Sequence, residues 1–257
     1  MLFLMEKLLL GYSKLLQWGD SRMKSYALMG SPIPVFFILV SYILFIFEIG
    51  PHLMQNKQPY TLRKTIMGYN LFQMACNLLG LFVGTYYLPQ LSVLCIPLDN
   101  PDLTAPHYWY FLLKVVDLFD TVFFVLKKKY KQITFLHMYH HVLMLVGSWM
   151  SAKYFPGGQL YVLGYINCFV HLVMYFYYFL TSWDSAYKNN IWWKKNLTQL
   201  QIVQHCLVLL SFLMPLLNQN CTYPKVLLMC YLPAVALMIY LFTDFYIKAY
   251  ITNKKSE

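Results

Sequence analysis

Long apolar runs separated by short polar stretches set the pattern of this chain. A helix that crosses a bilayer needs about 20 mostly apolar residues. Seven segments meet or approach that length, at roughly 33–53, 66–88, 108–126, 134–152, 160–180, 200–217 and 226–247. The first, second, fifth and seventh are clear. The third carries Lys114, Asp117 and Asp120, and the fourth His137, His140 and His141. The sixth is short and carries Gln201, Gln204 and His205. The pattern predicts an all-α polytopic membrane protein of seven transmembrane helices, forming a single domain over residues 1–257. No repeat of 20–50 residues and no low-complexity linker interrupts it.

Lysine and arginine orient the spans. Residues 57, 63 and 64, then 127, 128, 129 and 131, then 188, 194 and 195, then 248, 254 and 255 fall on one side. Those thirteen face six on the other side, at 7, 14, 22, 24, 153 and 225. The positive-inside rule puts the richer side in the cytoplasm. The N-terminus is then extracytoplasmic and the C-terminus cytoplasmic. Residues 1–30 form an N-terminal extracytoplasmic or interfacial segment. Glu6 and Lys7 break its apolar run, so it reads as an amphipathic helix and not a signal peptide. Residues 248–257 form a cytoplasmic tail, in which Lys254-Lys255 resembles the dilysine retrieval signal of the endoplasmic reticulum. Sequons stand at Asn196, on the cytoplasmic side, and at Asn220, close to a membrane edge.

Composition agrees with this picture. The chain is 59% hydrophobic and 12% charged, against about 45–50% and 25% in soluble domains. Disordered, collagenous, coiled-coil and most soluble-enzyme classes are thereby excluded. The net charge of +10 sits between apolar runs and in no nucleic-acid motif. Six cysteines are too sparse for a disulfide framework and form no CxxC pair, so each reads as a buried thiol.

Ionisable groups inside a span are costly, so they mark interior sites. Lys114, Asp117 and Thr121 share one helix face, with Asp120 on the next ridge. They read either as an internal ion pair or as part of a site. His137, His140 and His141 place three imidazoles within about a 100° arc of one helix. Such a cluster suits metal ligation, or proton transfer and nucleophilic catalysis. Asn167, His171, Met174, Tyr175 and Tyr178 form one stripe in the fifth span. There Asn167 can fix the His171 tautomer, and the tyrosines can donate to a carbonyl oxygen. Met174 reads as packing and Tyr177 as an interfacial aromatic. Gln201, Gln204 and His205 share a face that either lines the same cavity or hydrogen-bonds between helices.

These residues resemble the ELO family of very-long-chain fatty-acid elongases. The H-x-x-H-H box is matched by His137, His140 and His141. K-x-x-E-x-x-D-T appears as Lys114, Asp117, Asp120 and Thr121, with Asp in place of Glu. H-x-x-M-Y-x-Y-Y is complete at His171, Met174, Tyr175, Tyr177 and Tyr178. T-x-x-Q-x-x-Q is complete at Thr198, Gln201 and Gln204. Leu28-Met29, Ser31-Pro32, Pro34, Gly50-Pro51 and Tyr69-Asn70 extend the likeness over about residues 20–250.

The resemblance implies seven spans, six of them in a barrel-like bundle around a closed-ended acyl-chain tunnel. It implies residence in the endoplasmic reticulum membrane and entry to the site from the cytoplasm. It implies condensation of a long-chain acyl-CoA with malonyl-CoA to a 3-oxoacyl-CoA, CoA and carbon dioxide. No bound cofactor or metal is expected, since both CoA thioesters are substrates. Expected partners are the lipid bilayer and the reductases and dehydratase of the cycle; a homodimer is left open, and nucleic acid is not expected.

No cysteine lies in a polar constellation, so a histidine must be the nucleophile: His140 or His171 attacks the thioester to give an acyl-imidazole. His137, His141 and Asn167 orient and relay protons. Tyr175, Tyr178, Gln201 and Gln204 stabilise oxyanions. Lys127, Lys128, Lys129, Lys131, Lys194 and Lys195 either bind CoA phosphates or serve topology alone. Two rivals stand beside this. A membrane di-iron desaturase or hydroxylase also uses H-x-x-H-H, but two irons need about eight histidines in paired boxes, and the chain has seven in all. A seven-span receptor or transporter fits the topology but not the concentrated motifs.

Overall fold

The computed structural model describes residues 2–98 and 100–252; Lys254-Lys255 lies outside them. Every regular element in these residues is helical. The α-helices are α1 (Leu2–Gln17), α2 (Ile33–Leu44), α3 (Gly50–Met54), α4 (Arg63–Tyr87), α5 (Thr104–Asp117), α6 (Phe119–Leu126), α7 (Phe135–Tyr154), α8 (Leu160–Trp183), α9 (Ile191–Leu217) and α10 (Lys225–Ile247). One π turn, Phe45–Ile49, joins α2 to α3.

Five segments are long and apolar enough to cross a membrane: Ile33–Met54, Arg63–Gln90, Leu160–Trp183, Ile191–Leu217 and Lys225–Thr252. The α5–α6 and α7 segments are not among them: Leu118 divides α5 from α6, which have 14 and 8 residues, and three histidines lower the apolarity of α7. The 20 residues of α7 nonetheless reach about 30 Å. The sixth span is longer than expected. Asn190 caps α9 by accepting from the Trp192 and Trp193 amides, so the helix starts before Lys194 and Lys195. Basic residues are good helix formers, and the drop in hydropathy there does not mark a helix end. Asn196 is therefore a helical residue, with its amide donating to the Trp192 carbonyl.

Small residues decide the closest packing. Gly80 and Gly84 lie one turn apart on α4. A Cβ on Gly84 would stand 2.2 Å from the Tyr165 ring, and one on Gly80 2.9 Å from Cys168 Sγ. Their absence lets α4 lie directly on α8, as small-xxx-small stripes do within membranes. Gly50 does the same where α3 meets Val125 of α6. Further contacts join α8 to α9, α9 to α10, α10 to α7, α7 to α5 and α5 to α4.

The two ends of the bundle differ. At one end, Gln159 sews three segments together: its oxygen accepts from the Ile96 amide, and its nitrogen donates to the carbonyls of Val93 and Ser211. Gly157 and Gly158, both at positive φ, turn the chain tightly from α7 into α8. The segment after α1 packs beneath. Trp149 donates to the Leu28 carbonyl, and the Lys153 ammonium to that of Met29. Arg22 clamps Asp20 and reaches the Leu98 and Pro156 carbonyls. That guanidinium holds the Asp20 carboxyl below its ordinary value. At the opposite end lie the connections bearing Lys127–Lys131 and Lys188.

The cysteines depart from the expectation. Cys95 and Cys221 form a disulfide at the sewn end, with Cα atoms 5.6 Å apart. Of the rest, Cys168 is buried, Cys76 half-buried, and Cys206 and Cys230 exposed. Pairing of residues separated by 126 positions depends on α4, α9 and α10 ending together, which spacing alone does not reveal. Replacing both cysteines by serine should cost about 2–4 kcal/mol. The check is thermal unfolding in detergent: reductant should lower the wild-type midpoint to that of the variant and leave the variant unmoved.

Candidate active site

Four helices carry polar side chains into one buried network. Lys114 of α5 is 1% exposed and Asp117 2%. Both charges are removed from water, a cost that only close pairing and further hydrogen bonds offset. Lys114 Nζ donates to Asp117 Oδ2 at 2.8 Å and to Asn167 Oδ1 at 2.9 Å. Asn167 also accepts from Tyr110 Oη at 2.8 Å. His171, one turn along α8, has Nδ1 3.5 Å from Lys114 Nζ and 3.6 Å from Asp117 Oδ2. The ion pair thus anchors the Asn167–His171 stripe.

A second acid lies beside it. Asp120 accepts from Tyr175 Oη at 2.7 Å, and the same hydroxyl is 3.3 Å from Asp117 Oδ1. Gln73 Nε2 donates to Asp117 Oδ1 at 2.7 Å and to Tyr69 Oη at 2.9 Å. A carboxylate only accepts, so this fixes the orientation of the Gln73 amide.

The histidine box faces this network from α7. Thr134 caps the helix by accepting from the His137 amide, so α7 starts at Phe135, two residues before the box. His137 Nε2 is 2.8 Å from Thr121 Oγ1, which is 2.6 Å from Tyr42 Oη. That chain holds His137 in place. The His141 ring is 4.4 Å from that of His137 and 5.4 Å from that of His140. The His140 ring lies 6.2 Å from that of His171, tilted by only 31°. Two imidazoles from different helices therefore lie side by side.

The other expected residues divide. Tyr178 joins through its ring, 6.0 Å from that of Tyr175. Tyr177 is 5% exposed and stacks on Trp193 of α9. Gln201 reaches Met174 Sδ at 3.9 Å and none of the acids. Gln204 lies further along, where it joins Asn167 and His205 in lining a cavity of about 80 Å³. Residues of α5, α7, α8, α9 and α10 line that cavity, which extends towards the sewn end of the bundle.

Lys127, Lys128, Lys129 and Lys131 lie between α6 and α7, just before the histidine box, and Lys194 and Lys195 in the first turns of α9. Burial first, then the ammonium groups of Lys129 and Lys188, hold Lys127 below the usual lysine value. Several positive charges thus converge beside the site.

Sequence reasoning did not single out Gln73, Tyr110, Tyr42 or the role of Tyr69. A signal existed for the first: Asn70, Gln73 and Asn77 follow i, i+3, i+7 spacing in the second span, and all three are buried. Mean hydropathy over 20 residues conceals such a stripe.

Comparison with known proteins agrees with the motifs. The model of the ELO (GNS1/SUR4) family matches residues 27–257. Human very long chain fatty acid elongase 4 is 34% identical over 248 residues, covering 93% of this chain and 78% of that protein. Rat very long chain fatty acid elongase 7 is 33% identical over 253 residues, covering 95% and 90%. Very long chain fatty acid elongase 7 of Drosophila melanogaster is 35% identical over 242 residues, covering 91% and 73%. With four motifs in order and a family match over nearly the whole chain, this protein belongs to the ELO family.

Proposed function

We propose that this chain is a membrane-embedded 3-oxoacyl-CoA synthase of very-long-chain fatty-acid elongation. It condenses a long-chain acyl-CoA with malonyl-CoA through an acyl-histidine intermediate. The observation that carries the mechanism is the pair of imidazoles, His140 and His171, 6.2 Å apart between centroids and close to a cavity that Asn167 lines.

The steps balance as follows. An imidazole nitrogen of His140 or His171 attacks the thioester carbonyl; a C–N bond forms, the C–S bond breaks, and CoA leaves as thiolate and is protonated. Malonyl-CoA then loses carbon dioxide, and the electron pair left on its α-carbon attacks the acyl-imidazole. A C–C bond forms, the C–N bond breaks, and the imidazole is returned. The acyl chain lies in the cavity below. Lys114 and Asp117 hold Asn167 and His171 in register, and Tyr175, whose one proton goes to Asp120, ties the second acid to that pair. Tyr178, Gln201 and Gln204 complete the polar rim.

The architecture follows the same reading. The α5–α6 and α7 segments make two further spans, for seven in all. Six packed segments, α4, α8, α9, α10, α7 and α5–α6, form a barrel around the acyl chain, with α2–α3 against its outside. The histidine end faces the cytoplasm and the sewn end the lumen of the endoplasmic reticulum. The Cys95–Cys221 disulfide supports this orientation, because the lumen is an oxidising compartment. The reductases and dehydratase of the cycle are the partners expected on the cytoplasmic side.

The lysines at the cytoplasmic mouth take the CoA phosphates. Bound phosphate would relieve the mutual repulsion of Lys127, Lys129 and Lys188. Neutralising Lys127 and Lys129 together should raise KM for acyl-CoA about 10-fold, with a smaller change in kcat. Added salt should weaken wild-type binding more than that of the variant.

The direct test of function is expression in a host lacking its own elongases, with labelled malonyl-CoA supplied to its membranes. Label in a product two carbons longer supports the proposal. Its absence across all acyl-CoA lengths, with the protein folded in the membrane, would refute it.

A further inference from the structure

His205 of α9 is a buried imidazole with no part in the condensation steps above. It is 8% exposed. Its Nδ1 is 2.6 Å from the Gln201 carbonyl one turn back. A carbonyl only accepts, so Nδ1 of the neutral ring carries the proton and Nε2 keeps a bare lone pair. The ring lies against that of Phe242 of α10, 5.1 Å between centroids, which fixes its plane. Oε1 of the neighbouring Gln204 is buried without a hydrogen-bond partner. His205, Gln204 and Asn167 line the same cavity, and Asn167 stands one turn from His171 on α8. A charge on His205 would act on both His140 and His171, so the three imidazoles share one neighbourhood.

Buried acceptors without partners call for a donor. The methylenes of an acyl chain offer none, whereas one water offers two protons. A cavity of about 80 Å³ exceeds the roughly 10–15 Å³ that one water needs. A water donating to His205 Nε2 and Gln204 Oε1 keeps its oxygen lone pairs for an electrophile. An acyl-imidazole is such an electrophile, and exclusion of water is what ordinarily protects a reactive intermediate from hydrolysis. We propose that His205 and Gln204 hold a hydrolytic water, which gives this protein an acyl-CoA hydrolase activity beside condensation. This activity rests on the acyl-histidine reading above. The water oxygen attacks the acyl carbonyl on His140 or His171 while one of its protons passes to His205 Nε2. A C–O bond forms, the C–N bond breaks, and the proton moves on from His205 to the departing imidazole. Acyl-CoA and water are consumed, and a free fatty acid and CoA are released. Malonyl-CoA and water compete for the same acyl group, so hydrolysis is greatest when malonyl-CoA is scarce.

The test follows CoA and free acid from labelled long-chain acyl-CoA with purified full-length protein in detergent, with and without malonyl-CoA. Without malonyl-CoA, the wild type should release a burst of CoA equal to the enzyme. CoA and free acid should then appear together at a slow, steady rate. His205→Phe should keep the burst and lower the steady rate about 10²-fold, the low end for loss of a general base. Its acyl adduct should persist, and its malonyl-CoA-dependent elongation should remain close to that of the wild type. His205→Gln keeps a polar side chain without a base and should behave as the phenylalanine variant does. Steady hydrolysis in either variant equal to the wild type, or no free acid from a wild type that elongates, would overturn the hydrolase and leave the elongase reading standing. Parallel loss of elongation and hydrolysis in both variants would place His205 in the condensation itself and would also overturn it. A wild type with no malonyl-CoA-dependent product would instead overturn the elongase reading, and the hydrolase with it.

Discussion

His140→Ala and His171→Ala are each expected to lower malonyl-CoA-dependent elongation by about 10³-fold or more, the range for loss of a nucleophile or of its general acid–base partner. The two rings lie 6.2 Å apart between centroids, and in the proposed mechanism they act on one carbonyl. Their losses should therefore not add, and the double variant should be about as slow as the slower single one. His137→Ala should cost less. That ring is tied to Thr121 and supports the His141 ring beside it, so its loss loosens the box without removing an attacking group. Rates measured on membranes with matched protein levels check all four.

Lys114→Met is expected to destabilise the fold by about 3–5 kcal/mol, because it strands the buried carboxylate of Asp117. Lys114→Met combined with Asp117→Leu removes both charges and should recover most of that stability. Activity should stay at least about 100-fold down in the recovered protein, with the loss in kcat, since Asn167 and His171 lose the groups that align them. A thermal midpoint in detergent reads the first effect, and steady-state kinetics the second. If the double variant recovered stability and rate together, the pair would serve packing alone.

The charged and histidine clusters were legible in the sequence because the bilayer makes each such residue expensive. Lys114, Asp117, Asp120, His137, His140, His141, Asn167, His171 and Tyr175 were all named from spacing, and the structure brings them together. Gln73 was missed for the opposite reason: an amide costs less than a charge, and its stripe disappears in the average over its span. The Cys95–Cys221 bridge was missed because it depends on where distant helices end. The start of α9 was misplaced because Lys194 and Lys195 mark a change of solvent, while the Asn190 cap, which marks the helix start, lies upstream of them. The α7 segment shows the same tension from the other side. In α7 the three histidines proposed for the chemistry are also what lowers its apolarity.

The central claim is an acyl group carried on histidine, and trapping it is the most direct test. Wild-type protein would be incubated with labelled long-chain acyl-CoA in the absence of malonyl-CoA, digested, and examined by mass spectrometry. The account predicts stoichiometric release of CoA and an acyl adduct on the peptide holding His140 or His171. Added malonyl-CoA should discharge that adduct as the elongated 3-oxoacyl-CoA. Label on Cys168 or any other cysteine, or CoA release only when malonyl-CoA is present, would contradict it.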